Sequence, residues 1–217
     1  MSILKSINPA TGELFAEFKE IDLSATKQII KESSDTQEGW ARLSVDDRIG
    51  VLTGIAKSLL DNSAEHAKII TAEMGKPIAE AIAEIEKCAW LCEYYAENSI
   101  DFLKDKSLKS NAVKSFASYE PLGVLFGVMP WNFPFWQVFR FAVPAMIAGN
   151  SVLVKHAPNV QASAVAIEKI FHSSGIPKEL FRILMIDIDI VPDIIGDNRV
   201  KAVSLTGSEV AGSKVAE

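Results

Sequence analysis

Leu122-Gly123-Val124-Leu125-Phe126-Gly127-Val128-Met129-Pro130-Trp131-Asn132-Phe133-Pro134 is the stretch on which the fold turns. A short apolar run, partly β-branched and closed by proline, reads as a buried strand ending in a stiff loop. The residues beyond Pro134 stay apolar as far as Asn150, with Arg140 as the single charge between Pro121 and Asn150. A buried helix follows from that pattern. A bilayer span does not, because Pro121, Pro130, Pro134 and Pro144 would interrupt it.

Downstream, the pattern alternates. Ser151-Val152-Leu153-Val154 reads as a second buried strand, residues 160–174 as a helix closed by Gly175-Ile176-Pro177, 180–186 as a strand, 191–195 as a short helix and 200–205 as a further strand. Strands alternating with helices at this spacing predict an α/β chain with a parallel, doubly wound sheet. Upstream, apolar residues recur at helical spacing between Ser24 and about Lys106, which predicts three or four amphipathic helices. Breaks are expected at Gly39-Trp40, Ser63 and Gly75-Lys76-Pro77. Asn8-Pro9-Ala10-Thr11-Gly12-Glu13 is turn chemistry between apolar runs, a strand, tight turn and strand expected at a sheet edge. A polar patch over 104–110 leads into a β-like run over 113–119.

The 217 residues are 48% hydrophobic and 23% charged, with 22 basic and 28 acidic side chains for a formal net charge of -6. Such a composition is that of a folded globular chain, not a disordered one. Acidic balance spread along the chain leaves no basic footprint for nucleic acid and no polybasic membrane tether. Met1-Ser2-Ile3-Leu4-Lys5 lacks the apolar core of a signal peptide, so a cytoplasmic location is the expectation. Cys88 and Cys92 stand one helical turn apart and offer no disulfide framework. No further ligands stand near them, so they read as core thiols and no metal site is expected.

Four places carry chemistry. Asn132, between large apolar residues and two prolines, reads either as a turn residue satisfying local backbone or as a rigid amide donor aimed at charge developing on a carbonyl oxygen. Arg140, alone on an apolar helix, either snorkels to water or forks an anionic substrate group. Lys155 ends a strand of the doubly wound sheet, where ligands bind, and is either a solvated loop lysine or a ribose or phosphate contact. Thr206-Gly207-Ser208, with Gly212 five residues after Gly207, is either a plain strand-to-helix turn or a loop offering backbone N–H groups to a phosphate. The Walker pattern fails there, since Ser213 precedes Lys214, and the three-glycine dinucleotide spacing is absent too.

Taken together, these residues resemble the amino-terminal part of the aldehyde dehydrogenase superfamily. The likeness rests on Asn8-Pro9-Ala10-Thr11-Gly12, Glu73-Met74-Gly75-Lys76-Pro77, Glu120-Pro121-Leu122-Gly123-Val124, Pro130-Trp131-Asn132-Phe133-Pro134, Pro144-Ala145 with Ala148-Gly149-Asn150, Lys155, Gly175-Ile176-Pro177 and Thr206-Gly207-Ser208, in the family order across essentially the whole chain. Within the family it is most similar to bacterial succinate-semialdehyde dehydrogenases. The resemblance implies an incomplete Rossmann-like domain in three parts: a strand plus helices over 1–106, a β arm and first buried strand over 107–128, and β/α units over 129–217.

The resemblance also implies a reaction. A cysteine thiolate attacks the aldehyde, an asparagine amide and a backbone N–H hold the oxyanion, hydride leaves to a nicotinamide, and a glutamate activates the water that releases the acid. Carried over by position, Asn132 is catalytic, Phe133 and Arg140 line the substrate tunnel, and Trp131, Lys155, Gly207 and Ser208 contact the cofactor. Pro158 stands where relatives often carry an acidic or amide residue for the adenosine ribose. Without a carboxylate there, NADP is as admissible as NAD, and His156 is a further cofactor candidate.

The Glu-Leu-Gly-Gly and Gly-Gln-x-Cys segments that supply the family's glutamate and nucleophile do not occur in these residues, and neither Cys88 nor Cys92 matches the nucleophile's motif. Expected therefore are a truncated, inactive chain without the catalytic domain or the carboxyl-terminal strand through which the family homo-oligomerises, exposed apolar surface, and poor solubility or dependence on another chain. The partner implied for the full-length family is a small aldehyde. The alternative function is a non-catalytic nucleotide-binding or interaction module that pairs with a full-length homologue.

Overall fold

The computed structural model describes residues 3–217. Met1 and Ser2, part of the leader reading, lie outside the described residues. β1 (Ile3–Ile7) and β2 (Leu14–Lys19) form an antiparallel hairpin. Its turn is built as the residues dictate: Asn8 Oδ1 accepts from the Ala10 N–H at 2.9 Å, and Gly12 takes a left-handed φ of 73°. The hairpin was expected at a sheet edge but is a separate two-stranded sheet. It lies against helices instead, where a serine of β1 is tied to a buried glutamate.

Four helices follow: α1 (Leu23–Ala41), α2 (Val45–Asp61), α3 (Ser63–Met74) and α4 (Ile78–Leu103). Asp22 and Ser44 cap the first two by accepting from the N–H groups of Ala25 and Asp47. Contrary to the punctuation, α1 runs through Gly39-Trp40. Burial of Trp40, whose indole donates to the Met146 carbonyl at 2.8 Å, outweighs the roughly 1 kcal/mol that a helical glycine costs. The break comes instead at Arg42–Ser44, where the Arg48 guanidinium gathers the carbonyls of Ala41 and Leu43. Asn62 alone separates α2 from α3, and Gly75, with φ of 75°, ends α3 before Pro77 opens α4.

The run over 113–119 reduces to the two-residue strand β4 (Phe116–Ala117), which pairs antiparallel with β3 (Lys106–Ser107), a two-residue strand inside the stretch read as a polar patch. Almost every side chain of the arm is exposed, so no core face extends the pairing.

The remainder alternates as read: β5 (Val124–Met129), α5 (Pro134–Ile147), β6 (Ser151–His156), α6 (Gln161–Ser173), β7 (Phe181–Ile183), α7 (Val191–Ile195), β8 (Val200–Leu205) and α8 (Glu209–Ala216). The strands pair in parallel in the order β7-β6-β5-β8, so chain direction across the sheet reverses at β5. β7 is shorter than the expected 180–186: a single 3-10 turn occupies 178–180, and only Leu184 N–H still bonds β6, through the Val154 carbonyl. Both faces of the sheet are covered. Val124, Phe126 and Leu153 pack with Ile30 of α1 and Ile194 of α7. Leu125, Met129, Val152 and Val154 pack with α2, α4, α5 and α6, around the fully buried rings of Phe135, Phe139, Phe171 and Phe181. Each such ring contributes roughly 2–3 kcal/mol. β8 is different. It pairs only with β5 among the described residues, exposes Lys201 and Ala202, and is followed by a helix with no buried residue. No described helix is long and apolar enough to cross a membrane.

Candidate functional site

The carboxyl ends of β5, β6 and β8 converge on one crevice. β5 ends at Met129, and the loop 130–133 carries Trp131, Asn132 and Phe133 into α5. All three side chains are exposed, and the Asn132 amide bonds no described residue, so it is free to act outward. α5 begins with Pro134 at its first turn, yet its N-cap, Phe133, has no capping side chain. The cap arrives from α4: Glu84 Oε1 accepts from the N–H groups of Phe135 at 2.9 Å and Trp136 at 3.0 Å. Glu84 Oε2 is paired with Lys76, whose Nζ lies 3.7 Å from the centroid of the Phe133 ring. α6 is capped the same way by Glu73, which accepts from the N–H groups of Ala162 and Ser163, both at 2.7 Å, and from the hydroxyls of Ser6 and Ser163. No local pattern marks Glu73 or Glu84 as a cap, although Glu73 opens one of the motifs of the resemblance, because the residues they cap lie 51 to 90 positions away.

β6 delivers Lys155 and His156. Lys155 is half-buried, and burial lowers its ammonium pKa against the opposing fields of Asp187 and Glu20. Among the described residues no carboxylate lies within ion-pair distance of it. Lys155 lines a cavity of about 430 Å³ with Val128 of β5, Leu205 of β8, Val191 and Pro192 of α7, Lys214 of α8 and Asp189. Sequence reasoning missed Asp189, Pro192 and Lys214 there. The signal available was their placement just beyond strand ends in a doubly wound sheet.

His156 lies the other way. It is 1% exposed, its Nδ1 accepts from the Ala157 N–H, and its Nε2 therefore carries the proton given to the Pro134 carbonyl at 2.9 Å. Burial holds its pKa down to about 4, so the ring is neutral. Pro158 is exposed in the loop after β6 and is not part of the cavity wall.

β8 leads into Thr206, Gly207 and Ser208. Gly207 is exposed, and Ser208 Oγ accepts from the Ala211 N–H at 3.2 Å as the N-cap of α8. Arg140, exposed on α5, donates from Nη2 to Thr206 Oγ1 at 3.2 Å, so it links the far side of the loop to the end of β8. Asn132 and Phe133 thus follow the end of β5, Lys155 lies near the end of β6 and Arg140 reaches Thr206 beyond β8, but of these four only Lys155 lines the cavity, and the His156 imidazole is turned inward. Cys88 and Cys92 are fully buried in α4, and burial raises both thiol pKa values, so neither is a thiolate at neutral pH. No metal-holding cluster of His, Cys, Asp and Glu occurs among the described residues.

A parallel sheet with its first strand inside, and a lysine-lined crevice off its strand ends, is the architecture of dinucleotide-binding domains. Residues 2–217 match the aldehyde dehydrogenase family, and the chain belongs to that family. It is 42% identical over 216 residues to a probable NADP+ succinate-semialdehyde dehydrogenase of Synechocystis sp., covering 98% of this chain and 47% of the relative. To the NAD(P)+ succinate semialdehyde dehydrogenase Sad of Escherichia coli K12 it is 40% identical, over 97% of this chain and 46% of that one. The solved succinic semialdehyde dehydrogenase of Streptococcus pyogenes, in complex with NADP+, superposes with a TM-score of 0.95 at 30% identity, covering 98% of this chain and 47% of the other. The chain spans about half the length of these relatives.

Proposed function

We propose that this chain forms the cofactor-binding part, with the oxyanion donor, of an NAD(P)+-dependent dehydrogenase that oxidises succinate semialdehyde to succinate. The observation that carries it is Lys155: a half-buried ammonium with no ion-pair partner among the described residues, at the topological switch of a sheet whose relatives include NADP+ enzymes. The crevice suits the group. Apolar walls from Val191, Pro192 and Val215 would suit an adenine, and Lys155 would be the residue to hold the ribose or a 2′-phosphate. Pro158 brings no carboxylate to repel that phosphate, which leaves both NADP and NAD admissible.

A bound nicotinamide would supply the acceptor for the hydride of the aldehyde carbon. The chain's own residues then have the following work. The free Asn132 amide donates to the oxyanion, Trp131, Gly207 and Ser208 border the dinucleotide, and Phe133 lines the approach of the aldehyde. Arg140 exchanges its bond to Thr206 for the distal carboxylate, which it can grip with two N–H groups. His156 supports this site from beneath, because both ring nitrogens are already engaged. Cys88 and Cys92, buried in α4 as neutral thiols, do not supply the nucleophilic thiolate.

A fluorescence titration of the purified chain with NADPH and with NADH tests the reading. Binding of at least one is expected, and Lys155→Met should weaken it about tenfold, the worth of one charge-assisted contact. A folded chain that binds neither would overturn the proposal. The buried thiols also suit a nucleotide-binding module that pairs with a full-length homologue. Co-purification of such a homologue, with cofactor binding but no turnover of succinate semialdehyde, would favour that reading.

A further inference from the structure

We propose that Lys76 and Glu84 are positioning residues for Asn132, an ion pair that holds the loop 131–133 from below; the inference rests on reading Asn132 as the oxyanion donor. An exposed amide makes an effective oxyanion donor only if its backbone is fixed before the charge develops. The loop has no side chain of its own that does this, and α5 has no cap of its own. Both services come from one buried pair. The Glu84 side chain is 1% exposed and that of Lys76 is 6% exposed.

Each atom of the pair is used. One Glu84 oxygen takes the two N–H groups of Phe135 and Trp136 at the positive end of α5, and the other takes the Lys76 ammonium. That ammonium also lies against the face of Phe133, the residue next to Asn132. Pro134 is pinned from the opposite side by His156. Asn132 is therefore followed directly by three residues whose rings, carbonyl or N–H groups are held by partners from α4, the α3–α4 turn and β6. A buried ion pair is a costly way to fill volume, and apolar residues would do it as well or better. What an apolar pair could not do is accept two helix N–H groups and grip a ring at once. Glu73 provides an internal comparison: it caps α6 with similar bonds and lines a pocket with Trp131, but among the described residues it pairs with no lysine and makes no hydrogen bond to 131–133.

The test is NMR on the 15N-labelled chain, with the Asn132 side-chain NH2 signal assigned by its loss in Asn132→Asp. Glu84→Gln keeps an oxygen acceptor and removes the charge; Lys76→Met removes the ammonium; Phe133→Leu removes only the ring and serves if either of the others does not fold. In these variants the Asn132 and Trp131 signals should shift, and order parameters over 131–133 should fall from about 0.85 to below about 0.6. Lys76→Arg should restore them. Glu73→Gln should lower the melting temperature and leave 131–133 unchanged. The proposal is overturned if Glu84→Gln, Lys76→Met or Phe133→Leu leaves the signals and order parameters of 131–133 as in the unsubstituted chain, whatever happens to its melting temperature. NADPH titration of the unsubstituted chain reports separately on the crevice, so failure of the cofactor reading is not confused with failure of this one.

Discussion

Asn132 and His156 stand at opposite ends of what a residue can reveal before its neighbours are known. The rigid apolar setting of Asn132, between prolines and large side chains, marks its amide for attention but leaves a turn residue and an outward donor both open. Its exposure was not readable, since it depends on where α5 leaves the sheet. His156 offered only its position beside Lys155, and that position suggested a cofactor contact. The fold instead closes its ring between the Ala157 N–H and the Pro134 carbonyl and keeps it neutral, with a pKa of about 4. The sign of the resulting pH dependence follows. In the unfolded chain the imidazole takes a proton near its ordinary pKa of about 6.5, while the folded ring does not until about 4, so stability falls as pH drops through that window. His156 alone should make the chain about 2 kcal/mol less stable at pH 5 than at pH 7. Urea unfolding at the two pH values measures this, and the same pair of curves for His156→Gln should lie closer together by that amount. At the same scale, Lys155→Met should weaken NADPH binding without lowering the melting temperature, because a half-buried ammonium with no ion-pair partner contributes little to folding.

Among the elements, the strands of the main sheet and their helices were legible because apolar runs of strand length, alternating with amphipathic runs of helix length, admit few arrangements. Val191–Ile195 and Val200–Leu205 fall where they were read. The failures share a cause. Gly39 did not stop α1, and the arm did not form a long strand, because burial or its lack outweighed local preference. The helix caps supplied by Glu73 and Glu84 were invisible for a related reason: a cap drawn from 51 to 90 residues away leaves no local pattern. Glu73→Ala would strand the part-buried N–H of Ala162 and the buried N–H of Ser163 together with two hydroxyls, at a cost of about 3 kcal/mol or more. A lowered urea midpoint, with lost exchange protection in the first turn of α6, is the expected result. β5 carries its own constraint. A Cβ on Gly127 would sit 2.6 Å from the Phe141 ring, so Gly127→Ala should destabilise by about 1–3 kcal/mol, read as a lower melting temperature.

The main sheet has two covered faces and two edges, of which β7 is largely buried and β8 is the more exposed. β8 presents unpaired N–H and C=O groups beside exposed Ala202, and Val210 on the helix after it is 69% exposed. An open parallel edge with apolar neighbours is a template for association. Light scattering should show aggregation that rises with concentration, and Ala202→Lys, which adds a charge to the edge without touching the core, should reduce it. The parallel α/β class, the order of its units and membership of the aldehyde dehydrogenase family were determined by the residues alone, because period, punctuation and motif order are properties of the chain read along its length. Only the tertiary structure decided that the Asn132 amide faces outward, that the His156 ring faces inward, and that Lys76 and Glu84 stand beneath the loop. Those outcomes depend on which distant groups meet after burial, and a hydrogen bond or a desolvated charge has no counterpart in the one-dimensional pattern.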